Sequence, residues 1–128
     1  MQLPINIMIA DDHEVYRDGL KTLLEGSAHL HVIHEASNGK QVIQFCEMEL
    51  PDIVLMDIMM PVMDGIASTA YLHAHFPSVR VIALSMFNQD NMILDMLEAG
   101  ATGYLIKNAH KQEIAEAIES VNKNIPYY

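Results

Sequence analysis

The stretch DIVLMDIMMPVMDG, residues 52–65, opens on a short apolar run, breaks at Asp57, and reaches Gly65 just before helical spacing begins at Ile66. An unbroken run of four or five residues rich in Ile and Val reads as a strand buried on both faces, the kind found inside parallel sheets. The same pattern recurs on either side, as INIMIA (5–10) and HVIHEA (31–36) before it and RVIAL (80–84) and GYLI (103–106) after it. Between the runs, apolar residues fall at helical spacing: Val15, Leu20, Leu23 and Leu24; Val42, Ile43, Phe45 and Cys46; Ile66, Thr69, Ala70 and Leu72; Met92, Ile93, Met96 and Leu97. Ile114, Ala117, Ile118 and Val121 form a fifth such face. Asp12 and Asn38 are candidate helix caps, and Gly100 sits where a left-handed terminator belongs. Strict alternation of strand and helix predicts an α/β fold, a parallel sheet covered on both faces.

The chain has 128 residues, enough for one domain. No repeat, low-complexity tract or Gly/Ser-rich linker divides residues 1–122, whereas 123–128, with Pro126 and two tyrosines expected to be exposed, read as the start of a linker. Seventeen acidic against seven basic side chains give a formal charge of -10, the wrong sign for neutralising nucleic-acid phosphates. No apolar run approaches the roughly eighteen residues of a membrane span. The amino terminus lacks a basic start and a small-residue cleavage site, so a cytoplasmic location is expected. The single cysteine, Cys46, lies among apolar neighbours and reads as a buried thiol in a reducing compartment.

In an open parallel sheet, ligands bind beyond the carboxyl ends of the strands. The residues at those ends are Asp11 and Asp12, Asp57, Ser85 and Lys107. If the first and third strands are neighbours, Asp11, Asp12 and Asp57 gather about 5 Å apart and repel by roughly 3 kcal/mol per pair at an effective dielectric of about 20. Such a cluster must hold a proton or bind a cation. Oxygen ligands open to water suit Mg²⁺, and the D-x-D-x-D-G spacing of a calcium loop is absent. A metal beside one carboxylate, with a hydroxyl and an ammonium on the next strands, is what phosphoryl transfer to Asp57 would require, with Lys107 and Ser85 meeting the equatorial oxygens. His29, His31 and His34, like His73 and His75, lack zinc-site spacing and are expected to be ordinary surface or core residues.

IADDH (9–13), LMDIMMP (55–61), MDG (63–65), LS (84–85) and GYLIK (103–107) together resemble the receiver domain of two-component response regulators over residues 5–122. The resemblance implies a (βα)5 flavodoxin-like fold with strand order 2-1-3-4-5. It makes Asp57 the phosphoacceptor and assigns Mg²⁺ to Asp11, Asp12, Asp57 and the backbone carbonyl of Met59. Ser85 and Lys107 would bind the phosphoryl group, and Ser85 and Tyr104 would form the switch, altering the face built from residues 88–122. ADDHEVYRDGL and EAGATGYLIKNA further resemble the subfamily that precedes LuxR-type helix-turn-helix domains.

By that resemblance the partners are a sensor histidine kinase or phosphotransfer protein, a homodimer mate, and DNA only through an output domain joined at the tail. Beyond self-phosphorylation and self-dephosphorylation, no enzymatic role is expected. The alternatives are an aspartate-nucleophile phosphatase, which would want an acid where Met59 stands, and a stand-alone or phosphorylation-independent interaction module. Asn108 departs from the proline common in receivers. Met86, with Met59 and Phe87, places apolar bulk near the phosphoryl site, from which a long-lived phosphorylated form is expected.

Overall fold

The structure, a computed structural model, describes residues 3–86 and 89–128. Strands and helices alternate as β1 (Ile5–Ala10), α1 (Glu14–Glu25), β2 (Leu30–Ala36), α2 (Gly39–Met48), β3 (Ile53–Asp57), α3 (Gly65–His75), β4 (Arg80–Ser85), α4 (Asp90–Ala99), β5 (Gly103–Ile106) and α5 (Lys111–Asn122). All pairings are parallel and the order is β2-β1-β3-β4-β5, as expected. Because successive strand residues face opposite ways, each strand feeds two cores. Ile5, Ile7 and Ile9 join Leu55, Leu84 and Leu105 under α1 and α5. Met8 and Ala10 join Val54, Met56 and Ala83 under the other three helices, with Val42, Leu72 and Met96. Cys46 belongs to this second core, and burial pushes its thiol up to about 11.

Three details differ from the sequence reading. Asp57 and Ser85 are the last residues of their strands, not the first beyond them, because Asp57 pairs with Leu84 and Ser85 with Ile106. His13, not Asp12, occupies the N-cap position of α1 and makes no side-chain capping bond, whereas Asn38 caps α2 as expected by accepting from the Gln41 N–H. Val15 is 87% exposed, so the buried stripe of α1 rests on Leu20 and Leu24.

The tail also departs from expectation at one tyrosine. The Tyr127 N–H donates to the Thr102 carbonyl and the Tyr104 N–H to the Tyr127 carbonyl, so the chain returns along the free edge of β5. Tyr127 is half-buried against the first core, while Tyr128 remains exposed. Gly100 ends α4 with φ of +123°, the backbone expected of it.

The β3–α3 loop is held very close to the sheet. The Gly65 N–H donates to the Ile58 carbonyl at 2.7 Å, and a Cβ at Gly65 would stand 2.1 Å from the Asp57 carbonyl oxygen. Backbone cannot yield as a side-chain tip does, so Gly65→Ala is expected to cost at least about 3 kcal/mol in denaturant unfolding. Val62, in the same loop, is a β-branched residue at φ 69° and is 79% exposed. Left-handed backbone costs L-residues about 1–2 kcal/mol, so Val62→Asn should stabilise by up to about 1 kcal/mol in the same measurement.

Candidate acidic site at the carboxyl edge of the sheet

The pairing of Ala10 with Met56 brings the ends of β1 and β3 to one level, so Asp11 and Asp57 emerge side by side. Asp11 is wholly buried, Asp57 nearly so, and Asp12 stands at the exposed mouth. One ligand atom from each of Asp11, Asp12, Asp57 and His13 can be chosen so that all four lie within 4.8 Å of one another. No other group of three or more acids, histidines or cysteines able to hold a metal occurs among the described residues, and the two histidine sets are not such groups. His29 instead pairs with Glu119, His34 stacks on Phe45, and His75 stacks on Tyr71.

Lys107 reaches into this cluster from the end of β5. Its Nζ lies 2.7 Å from Asp11 Oδ2 and 3.3 Å from Asp57 Oδ2, with the side chain 9% exposed. The Lys107 backbone N–H donates to the Ser85 carbonyl, which fixes the root of the side chain beside β4. One ammonium does not balance the acids. Burial first, and the Asp11 charge second, push the Asp57 carboxyl up from 3.8 to about 6, with Lys107 pulling the other way. Of the two resolutions expected for such a cluster, a proton or a cation, the chain supplies part of each: the Lys107 ammonium and an Asp57 carboxyl that holds its proton more tightly than usual. Asp11 Oδ2, though close to Lys107, is buried without a hydrogen bond of proper geometry. A buried carboxylate oxygen left in that state, beside two more carboxylates, fits a hard divalent cation.

Three residues without a role in the sequence reading complete the surroundings. The His13 backbone N–H donates to Asp11 Oδ1 at 2.8 Å, a turn that folds the imidazole back until Nδ1 is 3.0 Å from the same oxygen and 3.4 Å from Lys107 Nζ. One tautomer of Nδ1 serves only one of those two neighbours. Arg17 Nη1 donates to the Asp11 carbonyl at 2.6 Å, and its Nε lies 3.5 Å from Glu35, which also pairs with Lys21. Tyr16 turns its ring toward Lys107, with Nζ 5.0 Å from the centroid. Burial, with Asp11 and Asp57 adding, pushes the Tyr16 phenol up to about 12. The motif ADDHEVYR held all three, but spacing alone does not say which way α1 is rotated.

Ser85 is buried beside the cluster, and its hydroxyl donates to the Leu105 carbonyl at 3.5 Å, with no hydrogen bond to Asp57. Tyr104 is half-buried against the second core. Met59 and Met86 are 56% and 55% exposed, which makes them a rim and not a lid, and Phe87 lies outside the described residues. An open groove of about 450 Å³ runs from Asp12 past Met59 and Pro61 to Met92, and another of about 630 Å³ lies on the opposite side, between Val15, Met86 and Ile106.

Comparison with known proteins bears on the family and the fold. The chain is 37% identical over 122 residues to the transcriptional regulatory protein LiaR of Bacillus subtilis, a match covering 95% of this chain and 58% of that one. It therefore spans somewhat over half the length of that relative. The receiver domain of the response regulator NarL from Mycobacterium tuberculosis superposes with a TM-score of 0.89 at 29% identity, covering 95% of this chain and 98% of that one. A LuxR-family two-component response regulator from Aurantimonas superposes with a TM-score of 0.91, also at 29% identity, over 98% of this chain and 89% of that one. The family described as the response regulator receiver domain matches residues 7–119, and the chain belongs to it.

Proposed function

We propose that this receiver domain is a phosphorylation-activated switch, taking a phosphoryl group onto Asp57 from a histidine kinase or phosphotransfer protein, with Mg²⁺ held by Asp11, Asp12, Asp57 and the Met59 backbone carbonyl. The observation that carries the reading is a nearly buried carboxylate, Asp57, with an ammonium 3.3 Å away and two further acids beside it. When bound, Mg²⁺ would neutralise charge on the equatorial oxygens of the transferring group.

The chain's own residues do the rest. An Asp57 oxygen forms the bond to phosphorus as the donor's phosphorus–nitrogen bond breaks, and the electron pair stays on the departing imidazole nitrogen, which takes up a proton from solvent. Lys107 meets one oxygen of the new acyl phosphate. The Ser85 hydroxyl leaves the Leu105 carbonyl for another, and Tyr104 turns inward in response. The domain acts on no external substrate beyond catalysing its own phosphorylation and dephosphorylation. The likeness to a transcriptional regulatory protein supports a DNA-binding output joined through residues 123–128, the receiver pairing with a second copy to control it.

Incubation with Mg²⁺ and a small phosphodonor, followed by intact mass, should add one phosphoryl group to the chain and none to Asp57→Asn. An unchanged mass for the parent chain would overturn the reading.

Stability measurements test the electrostatics separately. A carboxyl raised from 3.8 to about 6 binds its proton more tightly in the folded state, so its effect on stability becomes less favourable as pH rises from about 4 to about 6. In EDTA at pH 7.5, Asp57→Asn should therefore be more stable than the parent by about 2 kcal/mol, and the gap should shrink by pH 4. Saturating Mg²⁺ should raise the melting temperature of the parent and much less that of Asp57→Asn.

A further inference from the structure

Among the described residues, four groups surround the Lys107 ammonium: Asp11 Oδ2 at 2.7 Å, Asp57 Oδ2 at 3.3 Å, His13 Nδ1 at 3.4 Å, and the Tyr16 ring, whose centroid is 5.0 Å away. The first two belong to the acids that the proposed chemistry engages. Asp57 loses its carboxylate charge when an oxygen is esterified, and Asp11 gives up much of its pull on the ammonium to any divalent ion it binds. His13 is 64% exposed at its side chain and shares its Nδ1 with Asp11. Of these four groups, only the aromatic face offers a fixed attraction that does not depend on the charge state of the site, because the ring quadrupole is permanent. The ring is also held: Tyr16 packs against the core that the sheet forms under α1 and α5.

We propose that Tyr16 is a positioning residue for Lys107, its ring face holding the ammonium at the acidic site while the partners of that ammonium change. The proposal rests on the phosphoacceptor reading of Asp57 only for its consequence in rate; the contact itself is independent of it. With a leucine at position 16, core volume is largely kept but the ammonium loses its fixed neutral partner, keeping only the exposed His13 imidazole that Asp11 shares. Lys107 then follows whichever carboxylate is free and spends less time where the phosphoryl oxygens arrive. A phenylalanine keeps the aromatic face and so keeps the effect.

The test uses Tyr16→Phe and Tyr16→Leu, each made with Lys107 retained and with Lys107→Met. By NMR of the unphosphorylated chain, the ε-methylene protons of Lys107 should be shifted upfield by the ring in the parent and in Tyr16→Phe, and should lose that shift in Tyr16→Leu. With Mg²⁺ and a small phosphodonor, Tyr16→Leu should be phosphorylated about five- to tenfold more slowly and Tyr16→Phe within about twofold of the parent. On the Lys107→Met background Tyr16→Leu should cause no further slowing, which separates positioning from a general packing defect. Equal slowing on both backgrounds, or a parent rate in Tyr16→Leu, overturns the proposal. Should Tyr16→Leu fail to fold, an absence of ring shift in the parent overturns it and its presence in Tyr16→Phe upholds it. A parent chain that takes up no phosphoryl group sinks the reading of Asp57, while the NMR shift still decides the contact.

Discussion

Adjacency of β1 and β3 forces two acids together, and the rest of the site follows from that. Ala10 and Met56 are partners in the ladder, so the next residue of each strand, Asp11 and Asp57, has nowhere else to go. The repulsion is roughly 3 kcal/mol at a separation near 5 Å. Behind it stand Ile7, Ile9, Ile53 and Leu55, all fully buried, each contributing about 1.5–3 kcal/mol of burial. The apolar rows outweigh the acids, and so the sheet closes with the charges in place. Their position at the edge, where the rows end, leaves them one open side.

Lys107 shows how a chain tolerates such a cluster before any ion arrives. Residues 11, 57 and 107 stand at the carboxyl ends of three strands of one parallel sheet, and the long Lys107 side chain spans β4 to touch both carboxylates. The compensation is incomplete, since burial and the Asp11 charge still push the Asp57 carboxyl above its ordinary range despite Lys107. An incomplete counterion suits a binding site: full neutralisation by the chain would remove the attraction for a cation, and none would leave the folded state with an uncompensated buried charge. Arg17 works on the other side of the same turn, where its guanidinium fixes the Asp11 carbonyl without touching the carboxylate and passes its charge on to Glu35.

Much of this was legible in one dimension. The central strands could be read because runs such as IVLM (53–56) and VIAL (81–84) have no polar interruption, and the ends of the five runs pointed to Asp11, Asp57, Ser85 and Lys107. What spacing could not supply was rotation and reach. Val15 fits a helical stripe on paper yet faces solvent, since α1 is oriented by Leu20 and Leu24. Asp12 looks like a cap, but the helix begins one residue later, with His13 at the N-cap position, no side-chain capping bond, and its N–H donated to the Asp11 carboxylate. The contact between Lys107 and Tyr16 joins residues ninety-one positions apart and has no local signature.

The tail bears on how any switching motion can proceed. β5 is an edge strand, and its outward N–H and carbonyl groups would otherwise face water. Tyr127 supplies partners to both, accepting from Tyr104 and donating to Thr102. The backbone at Tyr104 is thus held between β4 on one side and the returning chain on the other. Rotation of the Tyr104 side chain is compatible with that double clamp, whereas displacement of β5 would break the pairing with Tyr127. A signal arising at Asp57 and passing through Ser85 would therefore reach residues 123–128 by one of two routes: side-chain packing alone, or release of the tail from the edge it covers. The first route is the smaller disruption, since side-chain rotation keeps both hydrogen bonds to Tyr127 that release would break.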